Sequence, residues 1–429
     1  MAWWLLLAGL SGTIGSGAVL GAALGLTGLI ILQFAANGAT ELAVTASWNT
    51  FTNFTLSAIP LFILLGDLLI ASGVSKRIYT ALSPVFRRIP GGLLHSNIAV
   101  CTVFGAISGS SMSTAAAVGS IAYPELVRHG YDKKEVVATL AAGGTLGLLI
   151  PPSLSLLIYG ALTDTSVGRL FLAGVVPGLL LSAMFMAYIY IAARLGRIPA
   201  PTAGADTGDA PAAGIGQLWP VAILIIAVLG SIAAGIATPT EAAGLSVVVA
   251  IVLGFVAGDL TLRGLGRALV SSATTFGAIG FVILGAVVLA QSVSVLGLPR
   301  SLIETFSGLG LSKYALLAVV VLIYLILGCF FEGLSMMVMT LPLVFPLMMA
   351  AGFNPVWFGV IVTILIEVAV VTPPVGLNLF VITAITNGEV SLAEAGRACV
   401  PYWLVMMVLI ALLAIVPDIA LVLPNLLMK

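Results

Sequence analysis

The sequence predicts an all-α polytopic membrane protein built from two inverted-topology repeats, each carrying a re-entrant helical hairpin and a helix broken at Pro-Pro. Three observations predict it. Of 429 residues, 61% are hydrophobic and 7% charged, against about 25% charged in an ordinary soluble domain, so the natural solvent is lipid. Apolar blocks long enough to cross about 30 Å of hydrocarbon recur from end to end. Landmarks of the first half return in order 222 positions later without a gap: Tyr123-Pro124, Gly130-Tyr131-Asp132 and Pro151-Pro152 become Phe345-Pro346, Gly352-Phe353-Asn354 and Pro373-Pro374.

Crossings or half-crossings are expected at 1–13, 16–35, 50–73, 91–107, 111–127, 134–163, 168–193, 216–235, 239–257, 268–296, 314–331, 335–350, 355–386 and 400–424. The run Met1 to Leu10 lacks a basic flank and reads as a short membrane helix, not a cleaved signal. Arg194 to Gly214, rich in Pro, Gly, Ala and Asp, reads as a solvated linker. The chain therefore divides into a first repeat (1–193, with hairpin 91–127 and broken helix 134–163), a cytoplasmic linker (194–214) and a second repeat (215–429, with hairpin 314–350 and broken helix 355–386). Upstream of the gapless stretch the register slips by two. There Ser108-Gly109-Ser110-Ser111-Met112 meets Glu332-Gly333-Leu334-Ser335-Met336, and Gly73 to Ile78 matches Gly297 to Leu302.

Charge sets the orientation. Segments 91–107 and 111–127 are short and joined through a Gly/Ser run, so they read as a hairpin that enters and leaves by one face. Arg87, Arg88, Arg128, Lys133 and Lys134 gather at its ends, and the positive-inside rule makes that face cytoplasmic. The second hairpin has only Lys313 at its ends, as expected on the opposite face. Charge balance between 16 basic and 16 acidic residues removes any case for a nucleic-acid partner. Cys101, Cys329 and Cys399 lack metal-ligand spacing and read as small core hydrophobes.

Backbone that leaves the helix inside hydrocarbon occurs only where protein buries it or water reaches it. Four such places are expected: the tips Gly105 to Ser113 and Gly328 to Ser335, and the proline pairs within Gly144 to Ser155 and Val371 to Asn378. The half-helix after each pair offers free N–H groups and a positive dipole end to a carboxylate. The half-helix before it offers free carbonyls, which suit Na⁺ because a hard cation takes oxygen ligands. One Na⁺ is expected among Ser108, Ser111, Gly144, Gly147 and Ile150, and a second among Gly328, Gly333, Val371, Thr372 and Gly376. A substrate between the tips would touch Ser110, Ser111, Pro152, Ser335, Pro374 and Asn378. No Arg or Lys falls at mid-depth, so bound Na⁺ and helix dipoles would neutralise an anion. Glu332 and Glu367 lie in apolar segments and are candidate coupling carboxylates. For Glu367 a structural role fits equally well. Thr238-Pro239-Thr240-Glu241 fits a capping box with Pro at the first helical position. His95 and His129 show no partner acid and read as interfacial.

At these motifs the chain resembles the large membrane subunit of the tripartite ATP-independent periplasmic (TRAP) transporters, the DctM/SiaM-like family. The resemblance rests on AIPLFILLGDLL from Ala58, GAISGSSMSTAAAVGSIAYPEL from Gly105, LIPPS from Leu149, GIATPTEAA from Gly235 and TPPVGLNLFV from Thr372. It runs over nearly the whole chain. It implies import of a small organic anion, such as a C4-dicarboxylate or sialic acid, across a bacterial inner membrane. It also implies a Na⁺ gradient without ATP, an elevator mechanism, a small four-helix membrane subunit on a separate chain, and a periplasmic binding protein that delivers the ligand.

Three other readings compete. A stand-alone divalent-anion/sodium symporter of related fold would need no binding protein. An intramembrane serine protease would use Gly105-Ala106-Ile107-Ser108-Gly109 as a nucleophile turn, but only His95 is near as a base, and the repeats would go unexplained. A passive assembly subunit would have no use for four coordinated breaks in hydrocarbon.

Overall fold

The computed structural model describes residues 2–199 and 214–428. Of the expected linker, 194–214, positions 200–213 therefore lie outside the described residues. Every element among the described residues is helical. The first series is α1 (Ala2–Gly15), α2 (Leu20–Phe34), α3 (Glu41–Phe51), α4 (Ala58–Ala71), α5 (Val74–Phe86), α6 (Leu93–Ser108), α7 (Ser111–Arg128), α8 (Lys133–Leu149), α9 (Leu154–Thr163) and α10 (Val167–Arg194). The second opens with α11 (Trp219–Ile225), a π-helical turn and α12 (Ser231–Ala233), then α13 (Pro239–Val256) and α14 (Leu262–Val295). It continues through α15 (Leu298–Gly308), α16 (Lys313–Gly328), α17 (Gly333–Ala350), α18 (Pro355–Val370), α19 (Leu377–Ile385), α20 (Leu392–Ile415) and α21 (Asp418–Leu427). Eight helical stretches are long and apolar enough to cross a membrane. The chain is a multi-pass membrane protein.

The recurring letters have a local cause. Gly130 and Gly352 end α7 and α17 in the left-handed region, at φ 76° and 78°, where only glycine sits without steric cost. Two residues later Asp132 and Asn354 cap the next helix. Asp132 Oδ1 accepts from the Lys134 and Glu135 N–H groups at 3.0 and 3.1 Å, and Asn354 Oδ1 from Val356 and Trp357 at 2.9 and 3.2 Å. The motif at Thr238 forms the expected capping box, with Pro239 opening α13.

The two broken helices run antiparallel. Lys133, which opens α8, pairs with Glu389 beyond α19 at 3.0 Å. At the other end Tyr159 of α9 donates to the Pro355 carbonyl that opens α18, at 2.7 Å. Each broken helix thus starts where the other finishes, which is the inversion the charge pattern predicts.

Three expectations need correction. The apolar block 400–424 is not one helix: α20 stops at Ile415 and α21 starts at Asp418, because Pro417 cannot continue the backbone ladder. Helices α3, α5 and α15 fall outside the expected blocks, since α5 and α15 are amphipathic and α3 is only weakly apolar. His129 does have an acid beside it, with Nδ1 3.6 Å from Glu125 Oε1, while buried His95 bonds the Pro90 carbonyl.

Candidate functional site

Irregular backbone at the first tip is confined to Gly109 and Ser110, narrower than the expected 105–113. Gly109 sits at φ 64°, and a Cβ there would come within 2.6 Å of the Pro152 carbonyl oxygen. This close approach lets the Leu154 N–H donate to the Gly109 carbonyl at 3.2 Å, docking the tip on the first proline break. Ser110 caps α7, its hydroxyl accepting from Ser113.

Pro151 and Pro152 offer no N–H to the carbonyls four residues earlier, those of Gly147 and Leu148. The Ser153 hydroxyl takes Leu148. Gly147 turns its bare face to Thr114 and Ser110: a Cβ there would lie 2.7 Å from Thr114 Oγ1 and 2.8 Å from the Ser110 carbonyl. Thr114 in turn donates to that carbonyl at 2.7 Å and accepts from Ser108 at 2.8 Å. Hydroxyl and carbonyl oxygens of Ser108, Ser110 and Thr114 thus gather beside Gly147, a donor set suited to a small hard cation. Gly144 and Gly147 lie inside regular helix, and their contribution is close approach: Gly144 faces Ala115 and the Asn378 amide. Ile150 is the buried C-cap of α8.

Ser111 and Asn378, assigned to different ligands by the sequence, bond to each other. The Ser111 hydroxyl donates to Asn378 Oδ1 at 2.8 Å, and Asn378 Nδ2 donates to the Ala141 carbonyl at 3.1 Å. Both side chains are buried. Ser110, Ser111, Pro152 and Asn378 therefore form one locus.

The second repeat is built differently. Its tip spans Cys329 to Glu332. Gly328 rests on Ala369, and Gly333 on Ile366 and Val370. Both oxygens of Glu332 accept from the Leu334 and Ser335 N–H groups, at 3.1 and 2.8 Å, so this candidate coupling carboxylate caps its own helix. Ser335 and Glu332 line a cavity of about 160 Å³ against Ile158 and α14, apart from the Ser111 locus. Thr372 turns its hydroxyl onto the Val368 carbonyl at 2.6 Å, Val371 is buried, and Gly376 opens α19 at φ 31°. Pro374 is exposed where its counterpart Pro152 is buried. Glu367 is fully buried, and neither carboxyl oxygen has a partner among the described residues.

Two residues escaped the sequence reading. Thr114 holds the first oxygen cluster together, and its signal was a hydroxyl one turn beyond Ser110. Asp67 accepts from Ser272 of α14 at 2.8 Å. A lone acid in the apolar run Ala58 to Ala71 could have flagged it.

The description "Tripartite ATP-independent periplasmic transporter, DctM component" covers the family whose profile matches residues 7–419. The chain belongs to the DctM family. TRAP permeases are transport proteins, which excludes the protease reading; here Ser108 bonds Thr114 and His95 bonds Pro90. Among relatives, the chain is 38% identical over 404 residues to the C4-dicarboxylate TRAP transporter large permease protein DctM of Pseudomonas aeruginosa, covering 94% of this chain and 93% of that one. It is 32% identical to the sialic acid TRAP transporter large permease protein SiaM of Vibrio cholerae, covering 87% of each. The fold is similar to the YdaH transporter of Alcanivorax borkumensis, with a TM-score of 0.59 at 15% identity over 87% of this chain and 88% of that one. It is also similar to MtrF of Neisseria gonorrhoeae, with a TM-score of 0.61 at 14% identity over 90% and 85%.

Proposed function

We propose that this TRAP permease imports a small organic carboxylate, a C4-dicarboxylate first among candidates, driven by Na⁺ across a bacterial inner membrane. The observation that carries this reading is the antiparallel pair of broken helices with the Ser111–Asn378 locus between them. The oxygens around Gly147 bind one Na⁺, and carbonyls near Val371, Thr372 and Gly376 bind a second. The anion sits beside Ser110, Ser111, Pro152 and Asn378, its charge met by Na⁺ and helix N-termini. Hairpins and broken helices move together as an elevator against α1–α4 and α13–α14, with Lys133 and Lys134 at the cytoplasmic face. A small four-helix subunit completes the scaffold, and a periplasmic binding protein delivers the anion. The Pseudomonas relative favours a C4-dicarboxylate over sialic acid by identity.

The test is succinate uptake into proteoliposomes holding both membrane subunits. Uptake should require an inward Na⁺ gradient and the cognate binding protein. Uptake without Na⁺ would overturn the coupling, and uptake without the binding protein would favour a stand-alone symporter.

A further inference from the structure

Two short amphipathic helices lead into the hairpins, and their charges differ. Helix α5 precedes α6 and α15 precedes α16; at 13 and 11 residues, neither is long enough to cross about 30 Å of hydrocarbon. In α15 the one base, Arg300, pairs with the one acid, Glu304, at 2.9 Å. Helix α5 carries Lys76 and Arg77 in its first turn and no acid, and Arg87 and Arg88 follow its end. None of these four bases forms an ion pair among the described residues. Nor does the helix itself compensate Lys76 and Arg77, because its first turn is the positive end of the dipole. Asp259 approaches Gly73, with Oδ2 3.1 Å from where a Cβ would stand, and it too forms no ion pair among the described residues. The start of α5 is left with a net positive charge.

Arg77 lines a narrow groove between α4, α5, α11 and α13. Apolar side chains of Ile78, Val221, Leu224 and Leu253 wall it, and Gln217 reaches it just before α11. The Ser72 hydroxyl on the same groove is spent on the Leu69 carbonyl at 3.1 Å. Arg77 and Gln217 are therefore the polar heads with capacity to bind. The groove lies at the face that the charge pattern makes cytoplasmic, where Arg87 and Arg88 end α5 and Arg263 and Arg267 open α14 after α13. Beside Gln217, Trp219 is 48% exposed at the start of α11, an indole placed as at a bilayer surface. Apolar walls with a basic mouth suit a molecule that carries both a hydrocarbon chain and a phosphate. A soluble anion would leave the walls unused, and a bare hydrocarbon would leave the charge.

We propose that this groove binds one anionic phospholipid of the cytoplasmic leaflet. Arg77 and Gln217 hold its phosphate, Lys76 adds charge, and an acyl chain follows Val221, Leu224 and Leu253. Helices α4 and α5 from the first half of the chain meet α11 and α13 from the second at the groove, so a seated lipid clasps them together. The neutral pair on α15 gives the other arm no such preference. This binding needs neither Na⁺ nor a transported solute, so it stands apart from the transport reading.

Thermal melting of the purified permease tests it, with dioleoylphosphatidylglycerol titrated beside phosphatidylcholine of the same chains and beside inorganic phosphate. Phosphatidylglycerol should raise the melting temperature, and neither of the others should. In Arg77→Gln the half-saturating phosphatidylglycerol concentration should rise about fivefold, the worth of one basic residue at an anionic surface. Arg300→Gln, on α15, should keep the wild-type response. An equal shift with phosphatidylcholine overturns the proposal, as does a shift with phosphate alone, and these arms need no variant to fold. So does a phosphatidylglycerol response unchanged in Arg77→Gln or lost in Arg300→Gln.

Discussion

Ser111 and Asn378 are 267 residues apart in the chain and share a hydrogen bond of 2.8 Å. It joins the first turn of α7 to the first turn of α19, so a hairpin of one repeat and a half-helix of the other form a single site. Neither repeat holds the complete constellation. A local distortion in either half is thereby felt by the shared site.

Ser111→Ala leaves a buried Asn378 carbonyl oxygen without its donor, a loss of about 1–3 kcal/mol. Na⁺-driven uptake should fall by about tenfold or more, while insertion and assembly with the small subunit persist. Initial rates in proteoliposomes measure it. A double-mutant cycle with Asn378→Ala should return a coupling of about 1 kcal/mol, and additive effects would count against a shared site.

Gly147→Ala places a methyl 2.7 Å from Thr114 Oγ1 and 2.8 Å from the Ser110 carbonyl. The oxygen cluster must spread, so the Na⁺ concentration for half-maximal uptake should rise about tenfold or more. Gly244→Ala on α13 is the control, since a Cβ there meets nothing within 4 Å. It should leave Na⁺ dependence unchanged and stabilise its helix by about 0.5–1 kcal/mol.

Glu332→Ala removes both acceptors at the start of α17 and should destabilise the protein by about 1 kcal/mol. Glu332→Asp, itself a strong capping residue, should restore the melting temperature. Equal loss of uptake in both variants with unchanged melting would assign Glu332 to coupling and not to capping.

Glu389 carries the pH dependence outside the membrane. The hydrogen bond from Tyr123 and then the Lys133 ammonium lower its carboxyl from the ordinary value of 4.5. A depressed folded value contributes stability above the unfolded value and loses it as pH falls through the folded one. Melting temperature should therefore drop below about pH 4.5, where protonation begins to loosen the clasp between α7, α8 and the α19–α20 loop. Tyr123→Phe should make the drop shallower, and an unchanged profile would remove Glu389 from the acid response.

Much of the candidate site was legible because it is written in local chemistry. Two prolines withhold two N–H groups whatever surrounds them, so Pro151-Pro152 and Pro373-Pro374 mark breaks by themselves. Asp132, Asn354 and Thr238 announce helix starts by short-range geometry. Glu332 shows the limit of local reading: a carboxylate within an apolar run signals function by default, and the structure adds that both its oxygens accept from its own first turn. Helices α5 and α15 were missed because amphipathic arms lack the continuous apolar run that marks a crossing.

The sequence by itself determined the solvent, the repeat and the four interruptions, because hydropathy, proline chemistry and helix capping act within a few residues of their origin. The tertiary structure alone decided that Ser111 bonds Asn378 and that Thr114 completes the first oxygen cluster. Those outcomes depend on how two antiparallel repeats pack. A hydroxyl finds its partner by proximity in space, and no spacing along the chain encodes a neighbour 267 residues away.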